Sequence, residues 1–409
     1  MQNLRDTKIY IELTKNKKIE ISELLYLIAF SIFILYSTIR TTMLRNFVPN
    51  GIATFVNLIC IVLIVYKVLF FDKYSFKKLI LISVIFSMLI ISSIISKYSE
   101  LIYLALLIIG ANNVSFKRIV KTYFFITLSI TIFAIIASKI GIIENLIYYR
   151  NGKVRYSFGS IYCTDFAARI FYLILAYVYL KGVTIKKIDI IVFIILGCFV
   201  SYFCGARLDS ISIFVMCIFL IYIKIKNRYV KDYEINISKL IKLVLTISVP
   251  ICAIVSIYVT YIYKSSDKFL NQLNQLLSYR LAYGKRGIIE YGFNLFGQQV
   301  KLIGSGGTDK IVSNYFFIDC SYLYIALKYG LIILLIFCIF FTALNRKMLK
   351  NGEIVIPILI MLIAINSMVA HHFTDIVYNV FILCFFANID IDFRKDNEIL
   401  LLNRRNKNV

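Results

Sequence analysis

Apolar residues fall in blocks along this chain. Most blocks run for about 18 to 22 residues, the length that crosses about 30 Å of hydrocarbon at about 1.5 Å per residue. Windows of that size pick out spans near 23–40, 52–70, 79–96, 100–113, 120–138, 158–180, 188–204, 208–224, 240–263, 317–343, 354–370 and 372–389. The fourth is short and the last two are nearly continuous. The pattern predicts an all-α polytopic membrane protein with about twelve transmembrane helices. It forms one integral membrane unit, with an N-terminal tail over 1–22, one long external loop over 264–316 and a C-terminal tail over 390–409.

Charge gives the orientation. Arg5, Lys8, Lys15, Lys17 and Lys18 precede the first span. Alternate connections then carry Lys73/Lys77/Lys78, Lys117/Arg118/Lys121, Lys181/Lys186/Lys187, Lys224/Lys226/Arg228/Lys231 and Arg346/Lys347/Lys350, and the tail carries Arg394, Lys395, Arg404 and Arg405. With twelve spans all of these lie on one side, which the positive-inside rule makes cytoplasmic, together with both termini. No small-residue cleavage site follows the first span, so that span is expected to stay as an anchor.

Composition agrees. The 409 residues are 60% hydrophobic and 17% charged, with mean hydropathy +0.82, whereas soluble domains are about half apolar and a quarter charged. The net charge of +24 does not point to nucleic acid, because the cations sit in short segments between apolar spans and no soluble domain carries them. Nine cysteines are present without a CxxC or CxxH pair, which argues against a structural zinc site. Cys204 and Cys320 fall near expected outer helix ends, and a disulfide between them stays open.

Two expected outer segments are rich in basic residues: 139–157, and the long loop 264–316. Arg40, Arg45, Arg150, Arg155, Arg207, Arg280 and Arg286 all fall at or beyond outer helix ends. Arginine's planar fork binds phosphate oxygens in pairs and keeps its charge beside a bilayer. Snorkelling toward lipid headgroups explains any one of them. The set, enriched where basic residues are normally scarce, favours function. In Cys204-Gly205-Ala206-Arg207-Leu208-Asp209-Ser210, an Arg and an Asp near membrane depth need partners or water, unless the segment is simply a tight hairpin. The Ile303-Gly304-Ser305-Gly306-Gly307 run lacks the ending of a phosphate-binding loop and reads as a turn. Asp319 either caps the following helix or orients an acceptor hydroxyl or an arginine. The only histidines, His371 and His372, fall in a short outer turn. Imidazole can act as a general base there, and adjacent helical residues point too far apart to share a metal.

Three features together resemble the Wzy-type polysaccharide polymerases, relatives of the O-antigen ligases. They are Gly205 to Arg207 opening a span, Arg280 through the Phe296-Gly297 and Gly304-x-Gly306 stretch, and Asp319-x-x-Tyr322-Leu323 leading to Tyr329-Gly330. The likeness covers about residues 150–345. It implies a fold similar to the membrane GT-C-type glycosyltransferases, in the bacterial plasma membrane, with no cofactor and no metal. It implies transfer of a growing glycan from undecaprenyl pyrophosphate onto a new lipid-linked oligosaccharide unit, beside the flippase and chain-length regulator of the same pathway, to make capsular or other surface polysaccharide. By motif, Arg207 and Arg280 or Arg286, with Arg155, become the pyrophosphate clamps, stabilising charge on the leaving phosphate. The ligases place a histidine in the long loop. This loop has none, which leaves Asp319 or His372 as base and favours a polymerase over a ligase. The chief rival is a lipid-linked oligosaccharide flippase, which needs no long external loop and would carry its charges midway through spans. A membrane acyltransferase would show a cytoplasmic His or Asp motif, and none is present.

Overall fold

The computed structural model describes residues 10–14, 17–49, 51–150, 152–229, 238–308, 310 and 312–389. Two antiparallel hairpins, β1 (Tyr10–Thr14) with β2 (Lys17–Glu20) and β3 (Ile147–Arg150) with β4 (Lys153–Tyr156), accompany a helical bundle. Its first helices are α1 (Ile21–Arg40), α2 (Ile52–Phe70), α3 (Phe76–Ser96), α4 (Glu100–Gly110), α5 (Phe116–Lys139), α6 (Cys163–Lys181), α7 (Lys187–Cys204) and α8 (Arg207–Tyr229). There follow α9 (Lys239–Thr246), α10 (Ser248–Ile262), α11 (Lys268–Leu276), α12 (Arg280–Tyr291), α13 (Ser321–Lys328), α14 (Leu331–Lys350) and α15 (Val355–Asn366).

Among the described residues, eight helices are long and apolar enough to cross a membrane: α1, α2, α3, α5, α6, α7, α8 and α14. The pair α9–α10, bent by 63°, is a ninth if counted as one broken span. Such helices satisfy their own backbone, which an apolar solvent demands. Serine and aspartate caps open several of them: Ser75, Ser115, Ser238 and Asp267 each accept the backbone N–H three residues on. The centre of the bundle is α6, 72% buried over its apolar window against 17% for α2.

Among the described residues, several of the twelve expected blocks take other forms. The 100–113 block becomes the 11-residue α4, about half the length needed to cross. The 317–343 block is broken into α13 and α14 at Tyr329–Gly330. The 372–389 block contains no α-helix, only 3-10 turns at His372–Thr374 and Val380–Phe385. Val380, Phe381, Ile382 and Leu383 are completely buried, and side chains serve the freed carbonyls. Tyr123 Oη donates to Tyr378 O and Asn379 Nδ2 to Phe373 O. Irregular backbone is tolerated when protein surrounds it, and hydropathy does not distinguish such a run from a lipid-facing helix. The long loop is itself partly helical, through α11 and α12. All nine cysteines are free, so Cys204 and Cys320 are unlinked. The tail 390–409 lies outside the described residues, as do residues 1–9 of the N-terminal tail.

The break between α13 and α14 explains two of the glycines. Gly297 and Gly330 both have left-handed φ, +79° and +100°. Their backbones press together: a Cβ on Gly297 would lie 2.6 Å from the Tyr329 carbonyl carbon, and one on Gly330 2.6 Å from that of Phe296. Gln298 N–H donates to Lys328 O and Leu331 N–H to Asn294 O across the contact. The Phe-Gly of the loop and the Tyr-Gly of the helix break are two halves of one joint.

Replacement of either glycine by alanine is therefore expected to lower the thermal midpoint in detergent. Gly141→Ala provides the comparison, since its φ is +81° with nothing within 4 Å. All three bear backbone strain of about 1–3 kcal/mol, and the joint variants add a clash, so they should unfold at lower temperature than Gly141→Ala.

Candidate functional site

Four arginines converge at one end of the bundle. The β3–β4 hairpin supplies Arg150 and Arg155 and pairs them in register with Lys153 and Tyr148 respectively. Arg155 is 4% exposed, and its Nε donates to the last carbonyl of α7, Cys204 O, at 2.8 Å. Gly205 lets this happen. It ends α7 with φ +58°, and a Cβ there would lie 2.9 Å from Arg155 Nε. Arg150 donates to Gly205 O at 3.3 Å and to Ser278 Oγ at 3.0 Å. Ser278 and Tyr279 both take left-handed φ, 59° and 65°, an uncommon conformation for non-glycine residues. They turn the chain from α11 into α12, whose first residue is Arg280. Arg207 opens α8, is exposed, and makes no hydrogen bond or ion pair among the described residues.

Arg280 Nε donates to Asp319 Oδ2 at 3.0 Å. Two residues on, Ser321 ties the start of α13 to the last loop: its Oγ donates to Ala370 O and accepts from Phe373 N–H. This fixes His371, whose Nδ1 lies 3.9 Å from Asp319 Oδ1 and whose ring meets the edge of Phe317 at 4.9 Å. These groups line one solvent-open cleft of about 560 Å³: Arg150, Arg155, Arg207, Arg280, Ser278, Asp209, Asp319, His371 and His372. Asp209 is buried and accepts from Asn366 Nδ2 at 2.9 Å. The lining holds four arginines against two aspartates, so it is electropositive. Burial, then the neighbouring Arg155, Arg207 and Arg280, lowers the pKa of Arg150, the mark of like charges without enough counterions. Nη2 of Arg155 is buried without a partner.

A wider groove of about 1710 Å³ adjoins the cleft and shares Arg150, Arg155, Gly205 and Arg207 with it. Its remaining walls are mostly apolar or aromatic, formed by Val154, Tyr156, Cys198, Tyr202, Phe203 and Phe214 along α7, α8 and the hairpin, with Lys153 and Ser201 among them. An ionic head and an apolar tail thus find adjoining surfaces.

Of the residues singled out from sequence, Arg155, Arg207, Arg280, Asp319 and His372 reach the cleft. Arg286 does not. It pairs with Glu290 at 2.6 Å one helical turn away and lies over Phe316. His372 lines the cleft but is 3% exposed, its ring lies tilted 3.9 Å from that of Tyr378, and its Nδ1 has no hydrogen-bond partner among the described residues. His371, not His372, faces the carboxylate. Arg150 belongs to the cluster as firmly as the arginines chosen by motif.

Arg169 went unread. It is completely buried in α6, donating to Ser160 Oγ and to both oxygens of Thr41, and it binds the loops that frame the site. A charged residue inside the apolar run 163–181 was the available signal. No group of His, Cys, Asp or Glu suited to a metal is found among the described residues.

Burial lowers the pKa of both histidines. Asp319 opposes the shift at His371, while the neighbouring positive charges add to it at His372. A histidine with a depressed folded pKa favours the fold when neutral, so stability is lost as pH falls below its unfolded value of about 6.5. Asp375, raised by burial to about 6, acts in the opposite sense and is common to any His372 variant. Between pH 7 and 5, wild-type protein in detergent should therefore lose thermal stability relative to His372→Phe, by at most about 1.4 kcal/mol per pH unit. Parallel curves for the two proteins would contradict the buried neutral imidazole.

No protein-family model matches the chain, and no curated protein or solved structure matches it at a significant level.

Proposed function

We propose that this multi-pass membrane protein is a glycosyltransferase that polymerises lipid-pyrophosphate-linked oligosaccharide units, in the manner of the Wzy-type polymerases it resembles. The observation that carries the reading is the convergence of Arg150, Arg155, Arg207 and Arg280, from the β-hairpin, the start of α8 and the start of α12, on one cleft beside the Asp319–His371 pair. The apolar groove sharing three of those arginines supports a ligand with a hydrocarbon tail.

On this reading the cleft faces the external side of the bacterial plasma membrane, with both termini in the cytoplasm and a helical architecture of the GT-C type. The donor is a glycan on undecaprenyl pyrophosphate. The acceptor is the non-reducing-end hydroxyl of a second lipid-linked unit. His371 takes the proton from that hydroxyl as its oxygen attacks the anomeric carbon. The bond from that carbon to the phosphate oxygen breaks, and the electron pair leaves with the pyrophosphate. The guanidinium groups hold the charge that develops there. Neither a nucleotide sugar nor a metal is required. A flippase and a chain-length regulator are the partners expected in the same pathway.

The test is a deletion strain complemented with variants, its lipid-linked and surface glycans separated by size. Single units reaching the outer leaflet without polymer support a polymerase, whereas units trapped on the cytoplasmic leaflet mean a flippase. Arg207→Ala and Arg280→Ala should each reduce polymer by about 100-fold or more, the cost of losing one donor to a developing charge. Arg207→Lys should restore little, having lost the planar fork. Arg286→Ala, outside the cleft, should leave polymer length unchanged. Normal polymer from the Arg207 and Arg280 variants would remove the clamp.

A further inference from the structure

Asp319 offers its two oxygens to two different partners. Oδ2 is held by Arg280 Nε at 3.0 Å, while Oδ1 stands 3.9 Å from His371 Nδ1, beyond hydrogen-bonding distance. All three side chains are partly exposed, at 18% for Arg280, 26% for Asp319 and 28% for His371, and all three line the cleft. The carboxylate is engaged with the arginine and only near the imidazole.

The surroundings of His371 make that gap matter. The charged and titratable groups acting on it are Asp319 from the end of the long loop, Arg280 from α12, Lys328 from α13, and the adjoining His372, whose ring lies 4.2 Å away. Phe317 and Tyr324 supply its ring contacts. Arg280 and Lys328 disfavour a proton on His371, and Asp319 alone favours one. Lys328 is not free to change its influence: it is caged by the rings of Tyr98, Tyr324 and Tyr329 and donates to Tyr324 Oη. Arg280 is free to change. Among the described residues its one hydrogen bond runs from Nε to Asp319, and the same guanidinium lines the cleft with Arg150, Arg155 and Arg207. An anion seated among the four competes with Asp319 for it.

We propose that Asp319 is a ligand-operated positioning residue: an anion that engages Arg280 draws the guanidinium off the carboxylate, and the released carboxylate closes the 3.9 Å gap and accepts a hydrogen bond from Nδ1–H of His371. The imidazole is then held with Nε2 as the acceptor, and its basicity rises only when the cleft is filled. An empty site keeps a weak base. Asp319 touches neither donor nor acceptor. This rests on the reading that the arginine cleft takes a pyrophosphate.

The chain has only two histidines, so histidine-selective isotope labelling of the full-length protein in detergent gives two ring signals, assigned with His371→Gln. The probe is inorganic pyrophosphate, its binding measured separately by calorimetry. In wild type, saturating pyrophosphate should raise the proton affinity of His371 about tenfold, one pKa unit, as a newly paired carboxylate does. Asp319→Asn should bind pyrophosphate and show less than half of that shift. An undiminished shift in Asp319→Asn assigns the effect to the anion's own field and overturns the proposal, as does binding to wild type with no shift. Arg280→Gln repeats the test with Asp319 intact: His371 should already titrate higher before pyrophosphate is added, and a titration equal to wild type overturns the switch. Pyrophosphate that fails to bind wild type removes both the switch and the anion cleft, whereas binding without coupling removes the switch alone.

Discussion

The site depends on basic side chains bound to the C-terminal carbonyls of helices. The last carbonyls of a helix have no partner within it and carry the negative end of its dipole. Arg155 takes Cys204 O and Arg150 takes Gly205 O at the end of α7. Arg169 takes Thr41 O, just past α1. Lys285 takes Tyr261 O at the end of α10. Each contact satisfies an orphan acceptor and fixes a cation at once. Without them, guanidinium groups brought together at the end of an apolar bundle would splay toward water. The end of α7 therefore determines where Arg150 and Arg155 stand, while Arg280 is held by Asp319 instead.

Much of this was legible in the chain. Seven of the expected spans appear as helices long and apolar enough to cross, because a continuous apolar run of about twenty residues has few other stable outcomes in lipid. Gly205-x-Arg207 was legible as a special turn, since an arginine and a glycine inside an apolar stretch both demand an explanation. The Phe296-Gly297 and Tyr329-Gly330 pairs were visible as motifs, but their mutual contact was not: it joins segments about thirty residues apart, and no periodicity encodes a backbone touching a backbone. The run 372–389 was misread as a helix because hydropathy measures transfer and not conformation. The choice between His371 and His372 rested on rotation about one turn, which Ser321 decides from a distant part of the chain. The hairpin 147–156 was seen only as an unusually basic segment.

The four cleft arginines belong to three chain segments, and this bears on stability as much as on chemistry. Each guanidinium is individually anchored or exposed, yet Arg150 feels the three others as repulsion. The arginines of the cleft repel one another, partly offset by Asp319 and Asp209. A doubly charged anion would turn repulsion into attraction among the hairpin, the start of α8 and the start of α12 together. Binding to the folded state alone adds stability in proportion to the logarithm of occupancy, so such an anion would act as the counterion these three segments share. For the lipid-linked ligand proposed above, the surface that attracts the head group would be the one its arrival completes.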